Sequence, residues 1–157
     1  MTVVWQNDSI NLQFVSQIGG IKMREIVLKQ GQTFVGDNYV GMINKIFGTH
    51  YESYMRSSVS LDKYGMPDYI AWIVYLNDEW HSDWKNSVEG NKITESCSDR
   101  EKFVKDKYKF PNRLVFMRCP KTRGKSVFIG VATLAKIDSE KMIKEYKLER
   151  KDVILRF

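Results

Sequence analysis

The run from Tyr69 to Leu76 limits what this chain can fold into more than any other segment. It reads Tyr-Ile-Ala-Trp-Ile-Val-Tyr-Leu, without a charged or turn-forming residue. Eight residues are too few to cross a membrane as a helix, and β-branched and aromatic side chains favour extended backbone. We therefore predict that this run is a buried strand at the centre of a sheet.

Several other segments have the short, apolar or alternating pattern of strands. The segments are Met23 to Phe34 (a strand, a turn and a strand end), Lys92 to Glu95, Arg113 to Arg118, Ser126 to Leu134, and Val153 to Phe157. The third and fourth are predicted to form a hairpin whose long tip is Cys119 to Lys125. Asn77 to Asn91, in contrast, is predicted to be a loop.

Three short helices are predicted between these strands. The first follows Asp37-Asn38 and ends before Gly48, since its apolar residues recur at helical spacing. The second opens at Ser98, which with Glu101 has the spacing of a capping box, and runs to about Lys107. The third begins at Ser139 and includes Met142, Ile143 and Tyr146. This mixed order predicts an α+β fold with a curved, mixed or barrel-like sheet and about three short helices.

Length and composition favour one domain over residues 1–157. Apolar runs near 18 residues and a signal sequence are both absent from the sequence, which predicts a cytoplasmic chain without a membrane partner. The two cysteines, Cys97 and Cys119, are predicted to be free thiols, with a structural disulfide as the alternative. A chain with two histidines and no paired-cysteine motif is predicted to hold no metal and no cofactor.

Charge is concentrated in one segment. Arg100 to Lys125 carries ten basic and two acidic residues, a net charge of +8, whereas the whole chain carries +6. A local basic patch is typical of a polyanionic partner. Residues predicted to contact a nucleic-acid backbone are Lys102, Lys105, Arg118, Lys121, Arg123 and Lys125. The alternative is that the basic helix and the hairpin tip are ordinary solvated surface.

Aromatic side chains lie just before this segment, at Tyr69, Trp72, Tyr75, Trp80 and Trp84. Alternation along the predicted strand puts Tyr69 and Trp72 on opposite faces. Trp80 and Trp84 fall in the predicted loop, where aromatic rings beside a basic surface could stack on an exposed or flipped base. The alternative is that these tryptophans only pack the fold.

The acidic residues include one candidate for a nuclease site. Asp83-Trp-Lys85, preceded by Asp68, matches the carboxylate and lysine pattern of metal-dependent restriction nucleases. Because the motif falls in a predicted loop and arises easily by chance, we assign no catalytic residue. An enzymatic function is therefore not expected of this chain by itself.

The order Trp84-Lys-Asn86, Ile93-Thr-Glu95, Arg113-Leu-Val-Phe116 and Phe128-Ile-Gly-Val131 resembles domains of bacterial modification-dependent restriction systems. Those domains belong to the PUA-like superfamily, which includes SRA, EVE and YTH modules. The resemblance covers about residues 23–135. It implies a base pocket formed by Trp72, Trp80 and Trp84, together with Tyr69, and phosphate contacts from Lys121 to Lys125.

Three functions follow from these observations. The first is a nucleic-acid-binding domain, with DNA favoured over RNA, that reads a modified or flipped base within restriction-modification or phage defence. A partner nuclease would then supply catalysis. The second is a small phage or mobile-element protein that inhibits a bacterial defence nucleoprotein, and the third is a metal-dependent nuclease.

Overall fold

The computed structural model describes residues 13–18, 21–35, 38–52, 58–75, 83–106, 109–118 and 125–157. Strands make up most of this part of the chain. They are β1 (Gln13–Ile18), β2 (Ile21–Leu28), β3 (Thr33–Val35), β4 (Ser58–Ser60), β5 (Tyr69–Tyr75), β6 (Trp84–Glu89), β7 (Lys92–Cys97), β8 (Asn112–Arg118), β9 (Lys125–Asp138), β10 (Ile143–Glu149) and β11 (Val153–Arg156). The helices are α1 (Tyr39–Phe47), α2 (Arg100–Asp106) and a 3-10 turn at Asp62–Tyr64.

The strands form two sheets. The smaller has the order β1-β2-β11 and is antiparallel. The larger has the order β4-β5-β8-β9-β10-β7-β6, and β3 pairs with β9 off this path. Since β5 and β8 are parallel and their other partners antiparallel, the predicted mixed sheet is confirmed. Its path ends at β4 and β6, so the described sheet does not close into a barrel.

The first core lies on one face of the larger sheet. Side chains of β5, β8 and β9, such as Ile73, Phe116 and Phe128, pack there against α1 and the smaller sheet. α1 begins as predicted, because Asn38 Oδ1 accepts a hydrogen bond from the Gly41 amide at 2.8 Å. It ends at Gly48, which adopts the left-handed conformation.

The second core lies on the opposite face. It contains Ile70, Trp72 and Val74 of β5, and Tyr146 and Leu148 of β10, among others. Tyr69 packs against the first core, so the predicted division of β5 into two faces is confirmed. β5 lies one strand in from the edge at β4, rather than at the centre of the sheet.

The predicted helix from Ser139 to Tyr146 is wrong. Residues 139–142 form a turn, with Met142 at a φ of 55°, and β10 begins at Ile143. Lys144, Tyr146 and Leu148 are buried at alternate positions, which is the period of a strand with one buried face. The described residues therefore hold two α-helices rather than about three.

Two smaller corrections concern β6 and α2. The segment from Trp84 to Glu89, predicted to be a loop, is a strand paired with β7. α2 is capped by Asp99 rather than Ser98, since Asp99 Oδ1 accepts from the Lys102 amide at 3.0 Å. The Ser98 hydroxyl instead donates to Asp83. None of the described helices is long and apolar enough to span a membrane.

Candidate nucleic-acid interface

Four strands bring charged and amide side chains to the second core. We use the name polar-aromatic cluster for Trp72 of β5, Trp84 and Asn86 of β6, Glu95 of β7, Arg113 of β8, and Lys144 and Tyr146 of β10. Strand register explains how they meet, because Glu95 is directly opposite Asn86 on one side and Lys144 on the other. Residues opposite each other in a sheet project to the same face.

Glu95 is the centre of the cluster. Its Oε1 lies 2.8 Å from Lys144 Nζ, and its Oε2 lies 3.2 Å from Arg113 Nη1. The three residues are almost inaccessible, with exposed fractions of 6% for Glu95 and Arg113 and 1% for Lys144. Isolated buried charges are costly, so the attraction between Glu95 and the two cations offsets part of the cost of burying all three.

Aromatic rings surround the two cations. The Arg113 guanidinium carbon is 4.4 Å from the ring centroid of Trp72 and 4.6 Å from that of Tyr146. Since those two rings are themselves only 5.9 Å apart, the guanidinium sits in the corner between them and is not sandwiched. Lys144 Nζ lies 5.2 Å from the Trp84 ring centroid. Ring faces stabilise cations at these distances.

A small residue makes the contact between Arg113 and Tyr146 feasible. Their strands, β8 and β10, are separated by β9, so about 10 Å lies between the two backbones. Ala132 of β9 is paired with Arg113 and belongs to the same core as Tyr146. Its partner on β10 is Leu148, one position along the same face from Tyr146, and its single methyl group occupies little of the space that the Arg113 side chain must cross.

Asn86 carries a buried polar atom without a partner. Its Oδ1 accepts no hydrogen bond among the described residues. Buried amide oxygens are paired in most proteins, so each exception calls for an explanation such as a ligand. Tyr146, another member of the cluster, is neutral: burial raises the pKa of its hydroxyl well above the usual range, although Arg113 opposes the shift. The phenol therefore remains a hydrogen-bond donor.

An ion pair fixes the start of β6 against α2. Asp83 Oδ2 pairs with Lys102 Nζ, and the Ser98 amide donates to the Asp83 carbonyl at 2.8 Å. The hydrogen bond with Lys102 lowers the pKa of the Asp83 carboxyl and raises the pKa of the Lys102 ammonium. These contacts hold the residue immediately before Trp84, which is how α2 helps to position that ring.

The predicted phosphate-binding residues lie in different settings. Lys105 of α2 and Lys125 at the start of β9 are exposed, Lys102 is exposed but paired with Asp83, and Arg118 is buried. Lys121 and Arg123, at the predicted hairpin tip, lie outside the described residues. Contact between these six residues and a nucleic-acid backbone stays a prediction.

Of the predicted base-pocket residues, the structure brings Trp72 and Trp84 to the same polar-aromatic cluster. Tyr69 is on the other face and is not part of that group. Trp80 lies outside the described residues, as does Cys119, whereas Cys97 is a buried free thiol. Burial raises the pKa of the Cys97 thiol, so it is less reactive than an exposed one.

The residues of the nuclease hypothesis are not brought together. Asp68 lies just before β5 and lines an open cavity with Asp62 and Phe110. Asp83 and Lys85 are at the start of β6, and four strands lie between β5 and β6. Within the described ranges, no three His, Cys, Asp or Glu side chains are close enough to hold a metal ion.

Sequence reasoning missed most of the charged half of the cluster as site residues. The sequence places Arg113 in the basic segment and at the start of a predicted strand, and it places Lys144 and Tyr146 in a predicted helix. Asn86 and Glu95 belong to the family resemblance, and neither has a predicted role in binding. The alternation from Lys144 to Leu148 was the available signal, because apolar residues two apart beside a turn indicate a strand.

The fold resembles that of a restriction enzyme. The 5-hydroxymethylcytosine-specific restriction enzyme AbaSI superposes with a TM-score of 0.57 and a sequence identity of 22%. The match covers 83% of this chain but 40% of the enzyme, so this chain spans less than half of AbaSI. At such identity the likeness shows a shared fold. No protein-family model and no curated protein matches the chain.

Proposed function

We propose that residues 1–157 form one DNA-binding domain that reads a modified base with the polar-aromatic cluster. The observation that carries the proposal is the unpartnered Asn86 Oδ1, buried beside Trp84 on the face that also holds Glu95. The fold shared with AbaSI, an enzyme specific for 5-hydroxymethylcytosine, supports both the DNA and the modification. The PUA-like architecture and its concave face are part of the proposal.

The chemistry of the cluster suits a flipped cytosine. A base in a duplex cannot reach a buried pocket unless it is rotated out of the stack. Its exocyclic amine would donate to Asn86 Oδ1, and the half-buried ring of Trp84 would provide a stacking surface. The basic segment would hold the phosphates, and a partner nuclease would supply any cleavage.

Asn86→Ala should weaken the binding of a flipped cytosine, because the exocyclic amine would lose its acceptor. We expect the affinity for a duplex with one 5-hydroxymethylcytosine to fall about tenfold, since one well-placed hydrogen bond contributes about 1–3 kcal/mol. The affinity for the same duplex with cytosine should fall by the same factor, since both bases carry the amine. Fluorescence anisotropy with both duplexes measures the two affinities. Ser87→Ala is the matched control, because Ser87 is the next residue of β6 and is exposed on the other face. Unchanged affinities in Asn86→Ala would contradict the proposal, as would a wild-type protein that binds neither duplex at low salt.

The cations of the predicted hairpin tip should contribute equally to the binding of all DNA sequences. Replacing Lys121, Arg123 and Lys125 together by Ala removes three cations, so the slope of log affinity against log salt should fall by about 3. The preference for a modified base should stay within twofold of the wild type. The same two duplexes, titrated from low to high salt, give both quantities. If the slope did not change, these residues would not be contacting phosphate.

A further inference from the structure

The polar-aromatic cluster has more positive than negative charge. Among the described residues, Arg113 and Lys144 are its two cations and Glu95 is its one carboxylate. Each carboxylate oxygen already faces one cation, so the pair of cations shares a single negative charge. The rings of Trp72 and Tyr146 offset part of the charge on Arg113.

Lys144 has more hydrogen-bond donors than it has partners among the described residues. An ammonium has three donors, and within the described part of the chain Lys144 Nζ meets one carboxylate oxygen and the Trp84 ring at 5.2 Å. With 1% of the residue exposed, water cannot provide the remaining interactions freely. A buried cation that is incompletely paired favours an incoming oxyanion, since a charge-assisted hydrogen bond is stronger in a desolvated site.

We propose that the cluster selects a cytosine whose 5-substituent carries a negatively charged oxygen, as in 5-carboxylcytosine, over the same base with a neutral substituent. This inference rests on the proposed function above. The substituent is a better candidate than a backbone phosphate, because Lys144 and Arg113 are buried in a sheet face and a flipped base is the part of a nucleotide that enters a pocket.

The test compares five duplexes that differ at one cytosine, which is unmodified, 5-methyl, 5-hydroxymethyl, 5-formyl or 5-carboxyl. The formyl group is the neutral match for the carboxylate in size. With the wild-type protein, we expect the carboxyl duplex to bind about tenfold or more tightly than the formyl duplex, the effect of one hydrogen bond to a charged group. Equal or weaker binding of the carboxyl duplex would overturn the inference.

A substitution then assigns the effect to Lys144. Lys144→Met keeps the length of the side chain and should reduce the carboxyl-over-formyl preference about tenfold. Lys147→Met is the control, since Lys147 is on the same strand and exposed on the other face. A duplex with an abasic site keeps the phosphates and offers no substituent. If Lys144→Met weakened abasic and carboxyl duplexes by the same factor, the ammonium would be meeting a phosphate and the inference would be wrong.

The outcomes separate this inference from the proposed function. If the protein prefers modified over unmodified cytosine but does not favour the carboxyl group, only the inference fails. If it binds all five duplexes equally, both fail. Because the duplex series uses the wild-type protein, it decides the question even if Lys144→Met does not fold.

Discussion

Glu95→Gln is expected to destabilise the protein by about 3–5 kcal/mol, the usual cost of removing one partner from a buried ion pair. The amide would leave Arg113 and Lys144 in the core without a counter-charge. Its NH2 group would also face one of the two cations. Urea unfolding followed by circular dichroism measures the loss.

Glu25→Gln is the matched control for this experiment. Glu25 Oε2 lies 3.2 Å from Arg156 Nε, the same separation as Glu95 Oε2 from Arg113 Nη1, but Arg156 is largely exposed. Exposed pairs contribute about 0–1 kcal/mol, so this variant should unfold almost like the wild type. The double variant Glu95→Gln, Lys144→Met should recover part of the stability, since it removes a charge from each side. If Glu95→Gln cost less than about 1 kcal/mol, the cluster would not be the desolvated site described above.

Gly130→Ala is expected to cost about 4 kcal/mol or more, at the upper end of single substitutions. Gly130 of β9 has a φ of 134°, which L-residues rarely adopt. An added Cβ would overlap the Glu149 carbonyl oxygen and lie 3.0 Å from Arg150 Cα. Both neighbours are backbone atoms at the end of β10, so β10 would have to move away from β9. Thermal and urea unfolding measure the cost.

Gly31→Ala separates the cost of the positive φ from the cost of the steric overlap. Gly31 also has a positive φ, 82°, but nothing lies within 4 Å of an added Cβ. The variant should therefore lose only the conformational term, about 1–2 kcal/mol. Equal losses in the two variants would mean that the close approach of β10 to Gly130 contributes nothing.

The sequence correctly predicts the helices and strands whose identifying residues all lie within a short stretch of the chain. α1 has its cap, its apolar spacing and its terminal glycine within about ten residues, and it was predicted correctly. β5, β8 and β9 are dense apolar runs, and they were also correct. The prediction for β10 was wrong because Lys144 is buried by an ion pair. A lysine at a buried position hides the alternation of apolar and polar residues that marks a strand.

The candidate site was also harder to predict, because its charged residues are buried by ion pairs with residues on other strands. Glu95, Arg113 and Lys144 are far apart in sequence and become partners only through the strand order β8-β9-β10-β7. Charge counting treated Arg113 as one of ten surface cations, whereas pairing buries it. Trp72 and Trp84 were found because large aromatic residues beside a basic segment are informative in isolation.

The pairing of β2 with β11 sets the order in which this chain can fold during synthesis. Leu28 is paired with Val153, and the backbones of Arg24 and Phe157 exchange two hydrogen bonds. The smaller sheet therefore cannot be completed until residues 153–157 have left the ribosome. Contacts that join such distant parts of a chain are slow to form. Until then Ile26 and Leu28 would stay exposed to chaperones and to other nascent chains.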